Sequence, residues 1–348
     1  TGEITGRIHE GYTIKVNDNI FIGKRLLIAT GSVPVIPSIP GLMQGMEKGF
    51  VLTNREIFNI KDVPASLAII GGGAIGLEMA SYFNSVGSKV TIVEMLDHIG
   101  GGCDREVAGI LLKNFSKKGA EFRLGARVTK IGVNMLAYEF EGRQEILETE
   151  KILLSVGRKP AAAGIGLEVI GVETENGRIK TDEMCRTNMP EIYAAGDVNG
   201  MSMLAHTAYR EAEVCVNVMV GKKDCMRYNA IPYVIYTNPE VAGAGETEET
   251  ARSKGMDFRT ATVSMRYSGR YVAENEGGDG ICKVLADNRY DRLIGIHMIG
   301  NYASEIIYGA GMLIENEMRI RDIKETVFPH PTVSEIIREA VFKLNEVE

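Results

Sequence analysis

Short apolar runs separated by glycine, proline and polar turns divide the chain into strands and amphipathic helices. Buried strands are predicted at 25–30, 66–70 and 89–94, where β-branched and leucine side chains follow one another almost without interruption. A helical pattern over 76–86 separates the last two of these strands. This strand, helix and strand order predicts a βαβ unit, which is typical of a nucleotide-binding half-domain.

Two stretches, 23–34 and 150–160, repeat one pattern: a polar approach, a buried strand, a glycine, and a proline three residues later. In the second copy, a glycine-rich turn at Gly71 lies 86 residues before the terminal glycine, Gly157. The same spacing counted back from Gly31 falls before the first residue. The repeat therefore predicts a duplicated domain whose first copy lacks its front in this chain.

The last third of the chain is rich in strands and ends in helices. Strands are predicted at 231–236, 257–265, 281–285 and 293–298, and helices at 304–316 and 333–344. This order is typical of a compact α+β domain. The predicted fold class is therefore α/β, with Rossmann-like nucleotide-binding domains followed by a C-terminal α+β domain.

Composition narrows the possible partners. The 348 residues carry a net charge of -7, which disfavours nucleic acid and anionic lipid. No apolar run reaches the roughly 18–20 residues needed to cross a bilayer, so no membrane partner is predicted. The five cysteines include no closely spaced pair, a pattern that favours reduced, buried thiols and a cytoplasmic location. No metal site is predicted.

The strongest chemical signal is Gly71-x-Gly73-x-x-Gly76, between a predicted strand and a predicted helix. Gly71 permits the tight turn, Gly73 lets the backbone approach a pyrophosphate, and Gly76 lets helix and strand pack closely. Glu94 ends the next strand, where a carboxylate accepts hydrogen bonds from a ribose diol. Because Glu94 repels a 2′-phosphate, the pattern predicts a dinucleotide site that prefers NAD to NADP.

A second signal is Gly196-Asp197, which ends a short buried strand just before a helix that begins near Ala205. An aspartate in this position is able to bind a polyol, and the helix N-terminus favours negative charge on a ligand. Taken locally, Asp197 fits a loop or capping residue equally well.

A third signal is His330-Pro331-Thr332, followed by Glu335 at the start of the last helix. Thr332 and Glu335 fit a capping box, with Pro331 just outside the helix. Alternatively, His330 is an acid/base whose ring is oriented by a carboxylate. Local sequence favours the cap.

Taken in order, the motifs of the chain resemble the pyridine nucleotide-disulphide oxidoreductase family, and within it the dihydrolipoyl dehydrogenases. The resemblance covers essentially the whole chain and rests on the segments 29–31, 71–78, 94, 156–158, 195–197, 204–206, 236–240 and 330–335.

The resemblance implies a role for each candidate residue. It implies NAD binding by Gly71, Gly73, Gly76, Glu78, Glu94 and Gly157, with Glu78 and Gly157 near the nicotinamide. It implies FAD binding by Gly31, Asp197 and Ala205, with Asp197 on the ribityl chain and Ala205 by the flavin ring. It also makes His330 the catalytic acid/base, held by Glu335 and delivered to the other subunit of a homodimer, which reverses the local preference for a cap.

The implied reaction is dihydrolipoamide + NAD⁺ to lipoamide + NADH, and the implied partners are lipoyl domains of a 2-oxo-acid dehydrogenase or glycine cleavage complex. Family members begin with a flavin-binding GxGxxG loop and a CxxxxC redox pair, and residues 1–348 contain neither. We therefore expect the chain to be inactive by itself. The alternatives are a family reductase for glutathione, mercuric ion or coenzyme A disulfide, and a non-catalytic NAD-binding dimerisation module.

The resemblance also divides the chain into domains. Residues 1–65 are expected to be the remnant of an FAD-binding domain, and 66–160 an NAD-binding domain. Residues 161–228 are expected to return to the FAD-binding and central region, and 229–348 to form the dimerisation domain.

Overall fold

The computed structural model describes residues 2–344, which fall into two compact units. Unit 1 contains the chain up to Val35 together with Gly157–Tyr228. Unit 2 contains Ile36–Val156 and the chain from Asn229 onward. No described helix is long and apolar enough to span a membrane.

The strands are β1 (Glu3–Ile8), β2 (Gly11–Val16), β3 (Asn19–Gly23), β4 (Leu26–Ile28), β5 (Ser32–Pro34), β6 (Val51–Leu52), β7 (Ser66–Ile70), β8 (Lys89–Glu94), β9 (Glu121–Leu124), β10 (Arg127–Gly132), β11 (Met135–Phe140), β12 (Arg143–Glu148), β13 (Lys151–Leu154), β14 (Arg158–Pro160), β15 (Thr174–Glu175), β16 (Arg178–Ile179), β17 (Ile192–Ala194), β18 (Tyr233–Ile235), β19 (Val241–Gly245), β20 (Phe258–Ser264), β21 (Ile281–Asp287) and β22 (Leu293–Ile299). The helices are α1 (Leu42–Glu47), α2 (Ala74–Ser85), α3 (Arg105–Lys117), α4 (Ala205–Met219), α5 (Glu248–Ser253), α6 (Gly269–Glu274), α7 (Ala303–Glu315), α8 (Ile320–Lys324) and α9 (Glu335–Lys343).

The first sheet of unit 2 is parallel and has the order β6-β13-β7-β8-β9. Its central strand β7 is apolar and buried from Leu67 onward, as expected for a strand covered on both faces. Helix α2 connects β7 to β8 and packs its apolar face, including Leu77 and Phe83, into the same buried cluster as Ile69 and Ile92. The predicted βαβ unit is confirmed.

The second sheet of unit 2 is antiparallel and has the order β18-β19-β22-β21-β20. Helices α7 and α9 contribute Ile307, Ile336 and Val341 to the cluster that covers it. The predicted C-terminal α+β domain is therefore present, with strand bounds within about two residues of expectation, the usual scatter of such boundaries.

One central strand of this sheet escaped the sequence reading. Strand β19 reads Val-Ala-Gly-Ala-Gly, and glycine and alanine have low strand propensity. The structure shows why a small residue is needed: a Cβ at Gly243 would lie 2.4 Å from Nδ1 of His297 and 2.6 Å from the Tyr233 ring. Tertiary packing therefore overrides propensity at this strand.

In unit 1 the last residues of the two repeat copies pair with each other. Strand β5 of the first copy runs antiparallel to β14 of the second, with Ser32 opposite Pro160. The preceding strand β4 pairs in parallel with β17, which ends just before Gly196-Asp197. The predicted strand 25–30 is shorter than expected, because the chain leaves β4 after Ile28.

Candidate functional site

The glycine-rich loop between β7 and α2 has the backbone geometry that its glycines allow. Gly71 has φ +105°, and a Cβ there would lie 2.3 Å from the carbonyl oxygen of Ser155. A Cβ at Gly76 would lie 2.2 Å from the carbonyl oxygen of Gly71, so the helix approaches the turn closely. A Cβ at Gly73 would meet nothing within 4 Å. The loop therefore leaves open space beside Gly73 and none beside the other two glycines.

The N-terminus of α2 faces this space with its amides uncapped. Gly73 is the N-cap residue, no side chain accepts a hydrogen bond from the first turn, and that turn contains no acidic residue. Free N–H groups and the helix dipole favour an anionic group here. The residues present thus fit a dinucleotide pyrophosphate.

The Glu94 carboxylate lies at the end of β8, against the same loop. Its Oε2 accepts a hydrogen bond from the Gly72 amide at 2.5 Å, and its Oε1 accepts one from the Leu96 amide at 2.8 Å. These bonds fix the carboxylate beside the glycine turn, and each oxygen keeps a further lone pair. Glu94 is therefore placed where a ribose diol would donate to it.

Glu78 follows one turn after the loop, on α2. Its Oε1 accepts a hydrogen bond from the backbone amide of Tyr236 at 2.9 Å. The neighbouring Asn238 amide donates to Ser81 Oγ at 3.1 Å, so the 236–238 segment is held along the helix. Glu78 thus has a structural partner in addition to the role that the resemblance implies.

Unit 1 contains the other predicted cofactor residues. The Ser32 hydroxyl donates to Asp197 Oδ2, and Arg158 Nε in turn donates to Ser32 Oγ at 2.7 Å. Gly31 has φ +71° and Gly157 has φ +107°. A Cβ at either glycine would meet nothing within 4 Å. The structure therefore brings Asp197 together with residues that directly follow both repeat glycines.

A buried carboxylate supports the Gly196-Asp197 turn. Glu211 on α4 is fully buried, and its Oε2 accepts from the Gly196 amide at 2.5 Å. Its Oε1 accepts from the Tyr228 hydroxyl at 2.8 Å, and burial followed by this hydrogen bond raises the pKa of Tyr228. Ala205 begins α4, and no side chain caps that helix. A fixed Asp197 near an uncapped helix terminus fits a ligand with hydroxyls and phosphates.

His330 and Glu335 form a hydrogen-bonded pair, with Nδ1 and Oε1 2.7 Å apart. The His330 side chain is 78% exposed and that of Glu335 is 18% exposed, so the carboxylate holds an imidazole that faces outward. The Thr332 amide, and then the His330 ring, lower the pKa of Glu335. This arrangement fixes Nδ1 as the oriented nitrogen and leaves Nε2 for chemistry.

The predicted capping box is wrong in one half. Helix α9 begins at Glu335 with Ser334 as its N-cap, two residues later than the sequence pattern indicated. The Thr332 hydroxyl donates to the Pro329 carbonyl, whereas Glu335 Oε2 does accept from the Thr332 amide at 2.9 Å. Glu335 therefore anchors the preceding turn and the histidine at once.

Sequence reasoning missed the residues that support these groups, namely Ser32, Arg158 and Glu211. Ser32 and Arg158 each directly follow a repeat glycine, which is a signal that the repeat could have supplied. Glu211 lies inside an amphipathic helical pattern and gives no local signal. Across residues 2–344, no group of three or more His, Cys, Asp or Glu side chains is placed to hold a metal ion.

Two family models match the chain. The model described as pyridine nucleotide-disulphide oxidoreductase matches residues 5–212, and the model for the dimerisation domain of the same proteins matches residues 231–341.

Named relatives match over nearly the whole chain. A dihydrolipoyl dehydrogenase of Cupriavidus necator is 32% identical, with 99% of this chain and 73% of that protein covered. A dihydrolipoamide dehydrogenase of Chaetomium thermophilum is 37% identical, with 97% and 68% covered. The Cu(II) complex of the HOCl-induced flavoprotein disulfide reductase RclA of Escherichia coli matches with a TM-score of 0.88 at 26% identity, covering 99% of this chain and 78% of that one.

Proposed function

The chain belongs to the pyridine nucleotide-disulphide oxidoreductase family, an enzyme family whose flavoprotein members imply FAD and NAD(P). We propose that it serves the oxidation of dihydrolipoamide to lipoamide with NAD⁺. Relatives at 32% and 37% identity carry the names of that activity. The observation that carries the proposal is the exposed His330 imidazole, oriented by Glu335 at 2.7 Å. An imidazole fixed in this way suits proton transfer with a dithiol.

The NAD site of the proposal is built from Gly71, Gly73 and Gly76 with Glu94. The open space beside Gly73 and the uncapped α2 amides support binding of the pyrophosphate. The carboxylate of Glu94 supports NAD over NADP, because a 2′-phosphate there would meet a negative charge. Glu78 and Gly157 are assigned to the nicotinamide end on the resemblance alone.

The FAD site of the proposal is built from Gly31, Asp197 and Ala205. Asp197 would accept hydrogen bonds from the ribityl hydroxyls, and its orientation is supported by Ser32 and by the bond from the Gly196 amide to Glu211. The flavin, when bound, carries electrons between a dithiol and the nicotinamide. The protein side chains supply binding and orientation.

His330 is the acid/base of the proposal. Its Nε2 would take a proton from a substrate thiol and return it in the reverse direction. Glu335 would accept a hydrogen bond from the protonated Nδ1 and so stabilise the imidazolium. The match to a dimerisation domain supports a homodimer, and delivery of His330 to the other subunit is part of the proposal.

The proposal also concerns what residues 1–348 do by themselves. The five cysteines lie at 103, 185, 215, 225 and 282, so no two have the CxxxxC spacing. Attack on a lipoyl disulfide needs a thiolate held in a redox pair. We therefore expect the 348-residue chain to bind NAD without turning over dihydrolipoamide.

The proposed partners are lipoyl domains of a 2-oxo-acid dehydrogenase or glycine cleavage complex, and the cytoplasmic location stays a prediction.

The domain boundaries remain part of the proposal. Residues 1–65 and 161–228 are assigned to FAD, 66–160 to NAD, and 229–348 to dimerisation. Residues 36–65 belong to unit 2 in the structure, as does the parallel sheet.

The test is a titration of the purified chain with NADH, NADPH and FAD, followed by fluorescence and absorbance and run beside an assay of dihydrolipoamide oxidation. The proposal expects saturable NADH binding, at least tenfold weaker NADPH binding, and no turnover. The tenfold ratio corresponds to about 1.4 kcal/mol for one repelled phosphate. Equal affinity for both nucleotides would refute the assignment of Glu94, and turnover would refute the expected inactivity.

A substrate panel separates the family alternatives. When activity is measured in a form that carries a redox cysteine pair and flavin, lipoamide should exceed glutathione, coenzyme A disulfide and mercuric ion as substrate. His330→Gln should lower that activity by about 10²–10⁴-fold, the usual contribution of an acid/base. Arg338→Gln, on the helix α9 that follows His330, is the control. If His330→Gln leaves the activity unchanged, a non-catalytic NAD-binding dimerisation module is favoured.

A further inference from the structure

The turn between β21 and β22 meets the connection between α7 and α8 at one end of the antiparallel sheet of unit 2. The Leu293 amide donates to the Met318 carbonyl at 3.0 Å, and the Ile320 amide donates to the Asp291 carbonyl at 2.8 Å. These backbone hydrogen bonds hold the two segments against each other. The side chains that project from them therefore start from a fixed backbone.

The two segments line a surface cavity of about 1000 Å³. Small-molecule sites usually have volumes of roughly 300–1,000 Å³, so the cavity is large enough for a ligand. Its nine lining residues include no lysine and four arginines, namely Arg289, Arg292, Arg319 and Arg321. Because the chain as a whole has a net charge of -7, this concentration of positive charge is a local feature.

The cavity also contains two carboxylates, and each of them is already paired. Asp291 forms an ion pair with Arg259, which is not among the lining residues. Glu317 Oε2 lies 3.0 Å from Arg292 Nη1. The two carboxylates therefore leave the other three arginines of the cavity without a lining carboxylate as partner.

Those three arginines are exposed, and their charges are weakly compensated. Among residues 2–344, neither Arg289 nor Arg319 forms an ion pair. Arg321 Nε lies 3.5 Å from Asp322 Oδ1, with both side chains exposed, so this pair contributes little. Arg289 is positioned by Tyr290, whose ring centroid lies 5.0 Å from its Cζ. Guanidinium groups around one cavity repel each other, and a bound anion would relieve that repulsion.

The choice of arginine indicates the chemistry of the anion. A guanidinium group presents N–H donors in a planar fork that matches two oxygens of a phosphate, whereas a lysine ammonium acts as a point charge. Three such forks around one cavity suit an anion with several phosphate groups in a row.

We propose that this cavity binds an oligophosphate, an anion with two or more linked phosphate groups, through Arg289, Arg319 and Arg321. The ligand comes from one of two sources, a free inorganic oligophosphate or the phosphate tail of a nucleoside di- or triphosphate. The inference rests on the cavity and its charges and stands apart from the proposed function.

The experiment is a calorimetric titration of the 348-residue chain with inorganic tripolyphosphate. Saturating NADH is present throughout, so that the nucleotide occupies the glycine loop at Gly71. We expect one tripolyphosphate per chain, with an affinity that falls as salt is added, because exposed charges are screened. ATP is titrated in the same way. Tighter binding of ATP would identify a nucleotide as the ligand, and tighter binding of tripolyphosphate would identify a free oligophosphate.

Variants locate the binding site. The double variant Arg289→Gln with Arg319→Gln should weaken tripolyphosphate binding by at least about tenfold, since it removes two charged contacts. Arg143→Gln is the matched control, because Arg143 is an exposed arginine on β12 that forms no ion pair among residues 2–344. It should leave the affinity within about twofold. Circular dichroism and NADH binding show whether each variant is folded.

Three results would overturn the proposal. The first is a wild-type chain that does not bind tripolyphosphate, and the second is binding that the folded double variant retains in full. The third is a competing anion, either citrate or a hexaglutamate peptide, that binds as tightly as tripolyphosphate. Citrate at equal affinity would show that the cavity does not select phosphate. The peptide at equal affinity would point to an acidic protein segment instead.

Discussion

Lys283 on β21 is the cation of a buried ion cluster in unit 2, and its removal is the sharpest test of how this unit is held together. Its Nζ lies 2.5 Å from Glu248 Oε1, 3.1 Å from Asp104 Oδ2 and 3.3 Å from Glu106 Oε2. The Lys283 side chain is 5% exposed and that of Asp104 is fully buried. Burial opposes the charge, but the hydrogen bond to Glu248 and the charge of Asp104 more than offset it and raise the pKa of Lys283.

Replacing Lys283 with methionine keeps most of the side-chain volume and removes the charge. The buried Asp104 then loses its ion-pair partner, while its Oδ1 still caps α3 by accepting from the amides of Glu106 and Val107. Breaking one side of a buried pair costs about 3–5 kcal/mol. For a unit of this size, about 2–4 °C of midpoint per kcal/mol gives a fall of roughly 6–20 °C. Glu106 is half-exposed and contributes little to that figure.

The assay is urea unfolding followed by far-ultraviolet circular dichroism and by tyrosine fluorescence. Tyrosine is the fluorophore because the sequence contains no tryptophan. Lys89→Met is the matched control, because Lys89 pairs with Glu121 at 3.3 Å but is 66% exposed. That control should lower the free energy of unfolding by less than about 1 kcal/mol. The double variant Lys283→Met with Asp104→Asn should recover part of the loss, since asparagine still caps a helix. Equal stability of Lys283→Met and Lys89→Met would refute the reasoning.

Three other perturbations have defined outcomes. Glu94→Gln should narrow the preference for NADH over NADPH in binding titrations by about tenfold or more, and an unchanged ratio would contradict its placement. Gly76→Ala should lower the free energy of unfolding in urea by at least about 1–3 kcal/mol, because its Cβ would lie 2.2 Å from the Gly71 carbonyl oxygen. The control Gly109→Ala adds a Cβ with nothing within 4 Å, so it should leave the free energy of unfolding unchanged or raise it. Burial lowers the pKa of His297, so its neutral form is favoured in the folded state and stability should fall as pH drops below the ordinary value of 6.5. His297→Gln should flatten that slope between pH 6.5 and 5, and an identical slope would exclude His297 as its source.

The sequence alone determined those features whose parts are neighbours along the chain. The glycine loop, the helix it opens and Glu94 belong to one βαβ unit, so their spacing implies their geometry. The pair His330 and Glu335 lies within five residues, and the internal repeat indicated two related segments whose last residues, β5 and β14, pair with each other.

Tertiary structure alone decided the features whose parts are distant in sequence. Glu211 reads as an ordinary helical residue until Gly196 and Tyr228 meet its two oxygens, and Lys283 reads as a strand lysine until three carboxylates surround it. Strand β19 forms from a glycine-rich run because His297 and Tyr233 leave room for nothing larger at Gly243. Local patterns encode hydrogen-bond periodicity and covalent spacing, whereas burial and charge pairing depend on which distant segments pack together.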